Sequence, residues 1–451
     1  MFLNPYAQRL AVRRLQPTSG ASGGPFEDNT MGLLVRSTAT KWQRDSVVAV
    51  DAGTFLSGIR STLEDNLHFS PFSGVDFPSD NHSANAAHIL REIIGRILIT
   101  HPHFDHISGL VINSAILELS RGPKPVAALP SVIDALKTHV FNGVLWPNLT
   151  NENNGAGLIA LQRLSDSGSS SKGHDDENDY VEICAGLTAR CFAVSHGRCK
   201  PDMRRHSLLE KESPAPASGL QSTFTSEKIT PAPSPRHGDG SATVGSSAFF
   251  IRENKSGKEI IIFGDVEPDT VSLEPRNQRV WSSAAPKFVS GNLRAIFIEC
   301  SLDDSVPDEA LYGHLCPRHL VAELKVLANY VENEKSRPER KRKRSESDGS
   351  SEGFLMASPS TSNNESTETK TSGTHLQATR AAAILPKPPS PPAEENPLKG
   401  LTVHIIHVKD DMQHSVYTQL RILSQIRQAA KRANLGCDFR MAQGGGTSIL
   451  I

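Results

Sequence analysis

The chain has 451 residues, only 37% of them hydrophobic, with 33 glycines and 29 prolines, a composition that fits one core diluted by long linkers. Its 48 Lys and Arg are balanced by 49 Asp and Glu, which argues against a nucleic-acid partner and favours a small substrate. The six cysteines form no CxxC pair, no apolar run reaches about 18 residues and no signal peptide is evident; a disulfide framework, a cysteine zinc site, a membrane span and secretion are disfavoured, and a cytoplasmic protein is expected.

In chain order, residues 1–19 form an Arg-rich N-terminal segment where an apolar first strand would be expected, and the first 26 residues contain no acid, as in mitochondrial presequences and frayed basic termini alike. Ser46–Val50 is a β-branched run that predicts a strand ending in Asp51, an acid that either supports a site at the strand end or caps the turn. Apolar residues at helical spacing over Ser83–Ile94 predict a helix, and Arg96–Thr100 predicts a short buried strand. At its C-terminal end stands His101-Pro102-His103-Phe104-Asp105-His106, followed by an apolar helical pattern from Val111 to Leu119. Polar low-complexity sequence at about 165–179 is expected to be a surface insertion, after which Leu187–Val194 reads as a strand ending at Ser195-His196-Gly197. A second, Pro/Ser-rich insertion covers about 198–246. Phe249–Ile251 and Ile260–Phe263 predict a hairpin that leads to Asp265, Glu267 and Asp269. Leu293–Ile298 is the next strand, closing on Glu299, and a helix is expected from Leu311 through Leu327. A linker at about 334–398 contains Arg340–Arg344, which has the composition of a nuclear localisation signal and equally of a solvated run. Leu401–Asp410 predicts a final strand bearing His407, and Tyr417–Ala433 a final helix.

Three imidazoles and a carboxylate within six residues supply ligands for more than one metal ion, and these donor types suit zinc and its first-row neighbours. The alternative is a solvated polar loop. HxHxDH at a strand end resembles the signature of the metallo-β-lactamase superfamily, and the longer run from His101 to Ala115 resembles that of class II cyclic-nucleotide phosphodiesterases, with Phe104 where that family usually has Leu. The resemblance implies an α/β fold, the αββα sandwich, as a single domain over residues 20–451 interrupted by the three insertions. It further implies two divalent metal ions, most simply Zn2+, one held by His101, His103 and His196 and the other by Asp105, His106 and His407, with Asp265 between them and Asp51 behind them.

The activity implied is hydrolysis of 3′,5′-cyclic nucleotides, cAMP with or without cGMP, to 5′-monophosphates by a hydroxide bridging the metals. Asp105, Asp265 and His314 are the catalytic candidates, His314 serving either as a leaving-group or phosphate contact or as a structural hydrogen-bonding group. Thr138–Leu149 resembles a second family segment, in which Phe141, Asn142 and Trp146 are candidate substrate contacts, although core packing is the commoner fate of such aromatics. Arg204-Arg205-His206-Ser207 resembles the pattern read by cyclic-AMP-dependent kinase, so Ser207 is a candidate phosphosite. A second copy of the chain and a regulatory kinase are the further partners this admits. The rivals are a tRNA 3′-end endonuclease or a thioesterase of the same fold, and a scaffold without catalysis.

Overall fold

The computed structural model describes residues 10–14, 23–64, 71–169, 179–198, 243–337, 396–409, 415–442 and 448–450. All but Ser336 and Arg337 belong to a unit formed by Met1–Lys335 with Glu394–Ile451; those two are the described residues of a second unit, Ser336–Ala393. The first sheet contains β1 (Leu10–Arg14), β2 (Leu33–Ser37), β3 (Val47–Val50), β4 (Ile94–Leu98), β5 (Lys124–Ala128) and β6 (Ile159–Arg163) in sequence order, with β14 (Ser448–Leu450) outside β1. Strands β3 to β6 are parallel, whereas β1 and β2 run antiparallel to their neighbours. Every residue of β3 is buried, as a central strand covered on both faces requires. The Arg-rich N-terminal segment does supply the strand that its composition did not suggest, because pairing uses the backbone: β1 joins both β2 and β14.

The second sheet is β7 (Val181–Cys184), β8 (Leu187–Arg198), β9 (Thr243–Glu253), β10 (Glu259–Phe263), β11 (Leu293–Glu299), β12 (Thr402–Ile406) and β13 (Asp438–Met441), antiparallel through β10 and parallel from there on. Side chains alternate between its two faces. Phe249, Ile251, Ile260, Ile262, Ala295 and Phe297 join the first sheet's core, while Phe250, Ile261, Phe263, Ile296, Ile298, Val403 and Ile405 join a second core. The first core also takes residues of α1 (Leu56–Glu64), α2 (His82–His88), α3 (Phe104–Asn113) and α4 (Pro130–Ala135); the second takes α5 (Asn277–Val289), α6 (Pro317–Lys335) and α7 (Ser415–Arg432). Helix layer, two sheets, helix layer: this is the αββα sandwich.

Two boundaries differ from expectation in ways that matter for the site. The helix expected from Val111 begins at Phe104, so Asp105 and His106 lie in its first turn and His103 is its N-cap. The backbone explains the early start, since the Gly109 and Leu110 amides donate to the carbonyls of Gly53 and Ala52 after β3, while the Ala52 amide donates to His106 (2.8 Å). The helix expected from Leu311 begins instead at Pro317, a residue suited to a first helical turn because it has no amide to leave unbonded. Leu311–Cys316 is thereby released as a loop, and it carries His314.

His404 occupies the inner face of β12, its ring stacked 4.6 Å from that of Phe297. Burial, with a smaller effect of Arg440, depresses its pKa from 6.5 to about 4. The folded state therefore refuses a proton that the unfolded chain accepts, and stability is lost as pH falls from 6.5 toward 4. Relative to His404→Phe, with chelator present in both, the parent protein should lose about 2 kcal/mol between pH 7.5 and 5. Urea midpoints that fall in parallel would refute this.

Candidate metal centre

The strands deliver their polar ends to one edge of the sandwich. Asp51 follows β3, His101 lies just beyond β4, His196 is near the end of β8, and Asp265, Glu299 and His407 end or follow β10, β11 and β12. Since β3 and β4 are parallel neighbours, as are β10, β11 and β12, their C-terminal ends coincide. The result is two adjoining groups, His101, His103, His196 with Asp265, and Asp105, His106, His407 with Asp265, each with its ligand atoms within 4.8 Å of one another. His101, His106, His196, Asp265 and His407 are buried; His103 is exposed and Asp105 half-buried, which puts the open side of the cluster there.

Hydrogen bonds at the rear of the rings fix their tautomers. Thr100 Oγ1 donates to Asp51 Oδ2 (2.8 Å) and so accepts from His101 Nδ1 (3.1 Å). His106 Nδ1 donates to Asp51 Oδ2 (2.8 Å), His196 Nδ1 to the Gly313 carbonyl (2.9 Å) and His407 Nδ1 to Ser301 Oγ (3.0 Å). The unprotonated Nε2 atoms are left facing inward: His106 and His407 oppose each other at 3.2 Å, and His103 Nδ1 lies 3.1 Å from His101 Nε2 and 3.3 Å from His196 Nε2. Lone pairs so close repel unless a cation lies between them. Asp265 Oδ1 is buried without a hydrogen bond and sits 3.3 Å from both His106 Nε2 and His407 Nε2. An orphaned carboxylate oxygen among convergent imidazole nitrogens fits divalent metal ions.

The electrostatics agree. Burial would raise the Asp265 carboxyl, but His407, His106 and His101 hold it well below the usual carboxylate range. Asp105 is likewise opposed by burial yet held down to about 2 by His407 and His106. Burial lowers His101, and takes His196 to about 4, so both stay neutral. His106 goes the other way: burial disfavours its proton, but Asp265 and Asp51 outweigh that and raise it well above 6.5. The carboxylates demand positive charge at this spot, and a metal ion supplies it without a proton.

A family model for class-II cAMP phosphodiesterases matches residues 18–338. The chain belongs to that family. Among the relatives of this class-II phosphodiesterase, the 3′,5′-cyclic-nucleotide phosphodiesterase of Schizosaccharomyces pombe is 32% identical over 70% of this chain and 75% of its own. That of Candida albicans is 24% identical over 96% and 98% of the two chains. A crystal structure of unliganded yeast PDE1 superposes with a TM-score of 0.64 at 22% identity, covering 98% of this chain and 100% of that one, which shows the shared metallo-β-lactamase fold. The family match stops before β12, so His407 lies beyond it.

In this phosphodiesterase Asp51 does both things the sequence left open. Its backbone is left-handed (φ 59°), Oδ1 accepts from the Thr100 amide (2.8 Å) and Oδ2 orients His106, so it pins the turn and aims the ring. Asp51→Ala should weaken metal binding by about 10- to 100-fold while the chain stays folded, as read by metal titration and circular dichroism. His314 lies in the cluster with its Nδ1 3.0 Å from Glu299 Oε1 and 3.7 Å from Asp265 Oδ2. Burial opposes a proton on it, but Glu299 and Asp265 raise its pKa. Glu299 is the functional residue that sequence reasoning missed. It is fully buried and accepts from the Val266 amide (2.8 Å) and Ser301 Oγ (2.5 Å) as well as His314. The signal was available, since Glu299 ends a strand as Asp51 and Asp265 follow theirs.

Of the candidate substrate contacts in Thr138–Leu149, one is placed out of reach of a base. Phe141 is buried in the first core and offers no face to a base. Trp146 is half-buried against the same core with Nε1 donating to Ser114 Oγ (3.0 Å), and Asn142 Oδ1 is occupied by the amides of Val144 and Leu145. Asp269 is a cap, accepting from the amides of Arg276, Asn277 and Gln278 where α5 begins. Ser207 and Arg340–Arg344 lie outside the described residues. No helix among the described residues is long and apolar enough to cross a membrane.

Proposed function

We propose that this protein hydrolyses 3′,5′-cyclic nucleotides, cAMP foremost, to nucleoside 5′-monophosphates, with two zinc ions held as the two imidazole and carboxylate groups divide them. The observation that carries this is the pair of ligand groups sharing Asp265, in a chain that belongs to the class-II cAMP phosphodiesterases. His101, His103 and His196 would hold one ion, Asp105, His106 and His407 the other, with the two carboxylates of Asp105 and Asp265 ionised throughout. Two divalent cations held there would lower the pKa of water to near neutrality and offset the negative charge that gathers on the phosphoryl oxygens.

The remaining chemistry belongs to side chains. Water attacks phosphorus opposite the 3′ oxygen, the bond from phosphorus to that oxygen breaks, and the departing oxygen needs a proton. We assign that proton to His314: Glu299 anchors Nδ1, and no hydrogen bond among the described residues engages Nε2. Asp105, at the open side, is positioned to accept a hydrogen bond from the attacking water.

The test is direct. Purified protein should convert cAMP to 5′-AMP, and both a chelator and His103→Ala should abolish the conversion, with metal analysis returning about two ions per chain in the parent protein. Turnover of a thioester or a tRNA precursor, with cyclic nucleotides inert, would instead select one of the rival hydrolases.

A further inference from the structure

Four aromatic side chains stand exposed among the described residues: Phe26, Phe104, Tyr312 and Tyr417. Phe104 and Tyr312 are chain neighbours of residues that form or hold the metal cluster. Phe104 is 67% exposed between His103 and Asp105, on the open side. It is the first residue of α3, and side chains there tilt toward the helix N-terminus, so its ring projects past the end of the helix that carries the imidazoles. Tyr312 is 66% exposed and immediately precedes Gly313, whose carbonyl holds His196. Phe26 follows Gly23 by three residues, and Gly23 packs so closely on the His407 ring that a Cβ there would collide with it.

Exposure of large rings at a catalytic mouth has a cost in water that the fold does nothing to avoid. Tyr312 adds backbone strain, because its φ of 51° is left-handed, a conformation a non-glycine residue seldom adopts. Its neighbour Gly313 (φ 85°) explains how the loop is held, packed against Gly197 with no room for a Cβ. Meanwhile, of the candidate base contacts, Phe141 is buried in the core and Trp146 packs half-buried against it. A cyclic nucleotide bound by its phosphate at the metals leaves its base at the rim, and a base presents two flat apolar faces to whatever aromatic surface is there.

We infer that Phe104 and Tyr312 are the nucleobase contacts of this enzyme, with Phe104 the principal one. The inference rests on the cyclic-nucleotide reading above. Phe104→Ala and Tyr312→Ala should each raise KM for cAMP, Phe104→Ala by about 5- to 100-fold, with kcat changed much less. Tyr312→Phe should keep most of the affinity that Tyr312→Ala loses, since the ring is what a base stacks on, and Phe104→Trp should restore a low KM. Product analogues separate base from phosphate: inhibition by 5′-AMP should weaken in Phe104→Ala by the factor seen in KM, whereas inhibition by ribose 5-phosphate should not change. Metal content equal to that of the parent shows that the ligands flanking Phe104 are undisturbed, and Tyr312→Ala tests the rim without touching the ligand run. An unchanged KM in both alanine variants, or equal weakening of 5′-AMP and ribose 5-phosphate, would overturn the assignment while cAMP turnover by the parent left the function standing. A parent protein that failed to turn over cAMP would remove both.

Discussion

Asp265→Ala is expected to lower cAMP turnover by about 1000-fold or more and to leave the purified protein with fewer than two metal ions. Two of its imidazole neighbours, His106 and His407, stand 3.3 Å from Oδ1, and His101, His196 and His314 stand 3.6 to 3.7 Å from Oδ2. Two unit charges about 4 Å apart interact by about 4 kcal/mol at an effective dielectric of about 20, and this one carboxylate faces both cation sites at once. Losing even one such interaction corresponds to roughly three powers of ten in an equilibrium or a rate. Asp265→Asn is the stricter version, because the amide fills the same space without the charge and turns an N–H toward nitrogen lone pairs or cations. Elemental analysis, steady-state kinetics and circular dichroism on both variants separate loss of the centre from loss of the fold. Two ions per chain with more than a tenth of parental activity in Asp265→Asn would mean that the carboxylate does not bridge.

The parts of this site that could be read from the sequence are those in which neighbours in space are also neighbours in the chain, or in which a strand end announces itself. His101, His103, Asp105 and His106 fall in one run, while His196, Asp265 and His407 each stand at the end of an apolar stretch and were placed by resemblance. What could not be read is what the packing of the two sheets decides. The pairing of β1 with the last residues of the chain has no local signature, and an Arg-rich segment gives no apolar alternation to find. The start of α3 was hidden because a histidine run looks like a turn, whereas hydrogen bonds from Gly109 and Leu110 to the loop after β3 carry the helix back to Phe104. Phe141 and Trp146 were candidate base contacts with core packing the commoner fate, and Phe141 is core. Glu299 went unnoticed because its partners, Ser301, His314 and the Val266 amide, come from three different strand ends and loops.

His314→Gln should slow cAMP hydrolysis by about 100- to 10,000-fold while the metal content stays at two, the combination expected of a proton donor that holds no ion. Its imidazole reaches Asp265 only at 3.7 Å but Glu299 at 3.0 Å, and the ring lies against His196 (4.9 Å between centroids) and His407 (5.4 Å). It therefore adjoins both ligand groups. If its work is to protonate the departing 3′ oxygen, the defect must depend on how badly that oxygen needs a proton. An alkoxide leaving group at neutral pH needs one; a p-nitrophenolate hardly does. The deficit of His314→Gln measured with cAMP should thus shrink by about tenfold or more with a p-nitrophenyl phosphodiester of a nucleoside. Glu299→Gln should reproduce the same substrate dependence more weakly, since Glu299 touches the donor and not the substrate. A structural role for His314 predicts otherwise: equal losses on both substrates, accompanied by loss of metal as His196 and His407 lose the ring packed between them. A third possibility, that His314 itself completes a cation site with His196, Asp265 and Glu299, whose ligand atoms also lie within 4.8 Å of one another, would appear as a drop in metal content in His314→Gln with the leaving-group dependence unchanged.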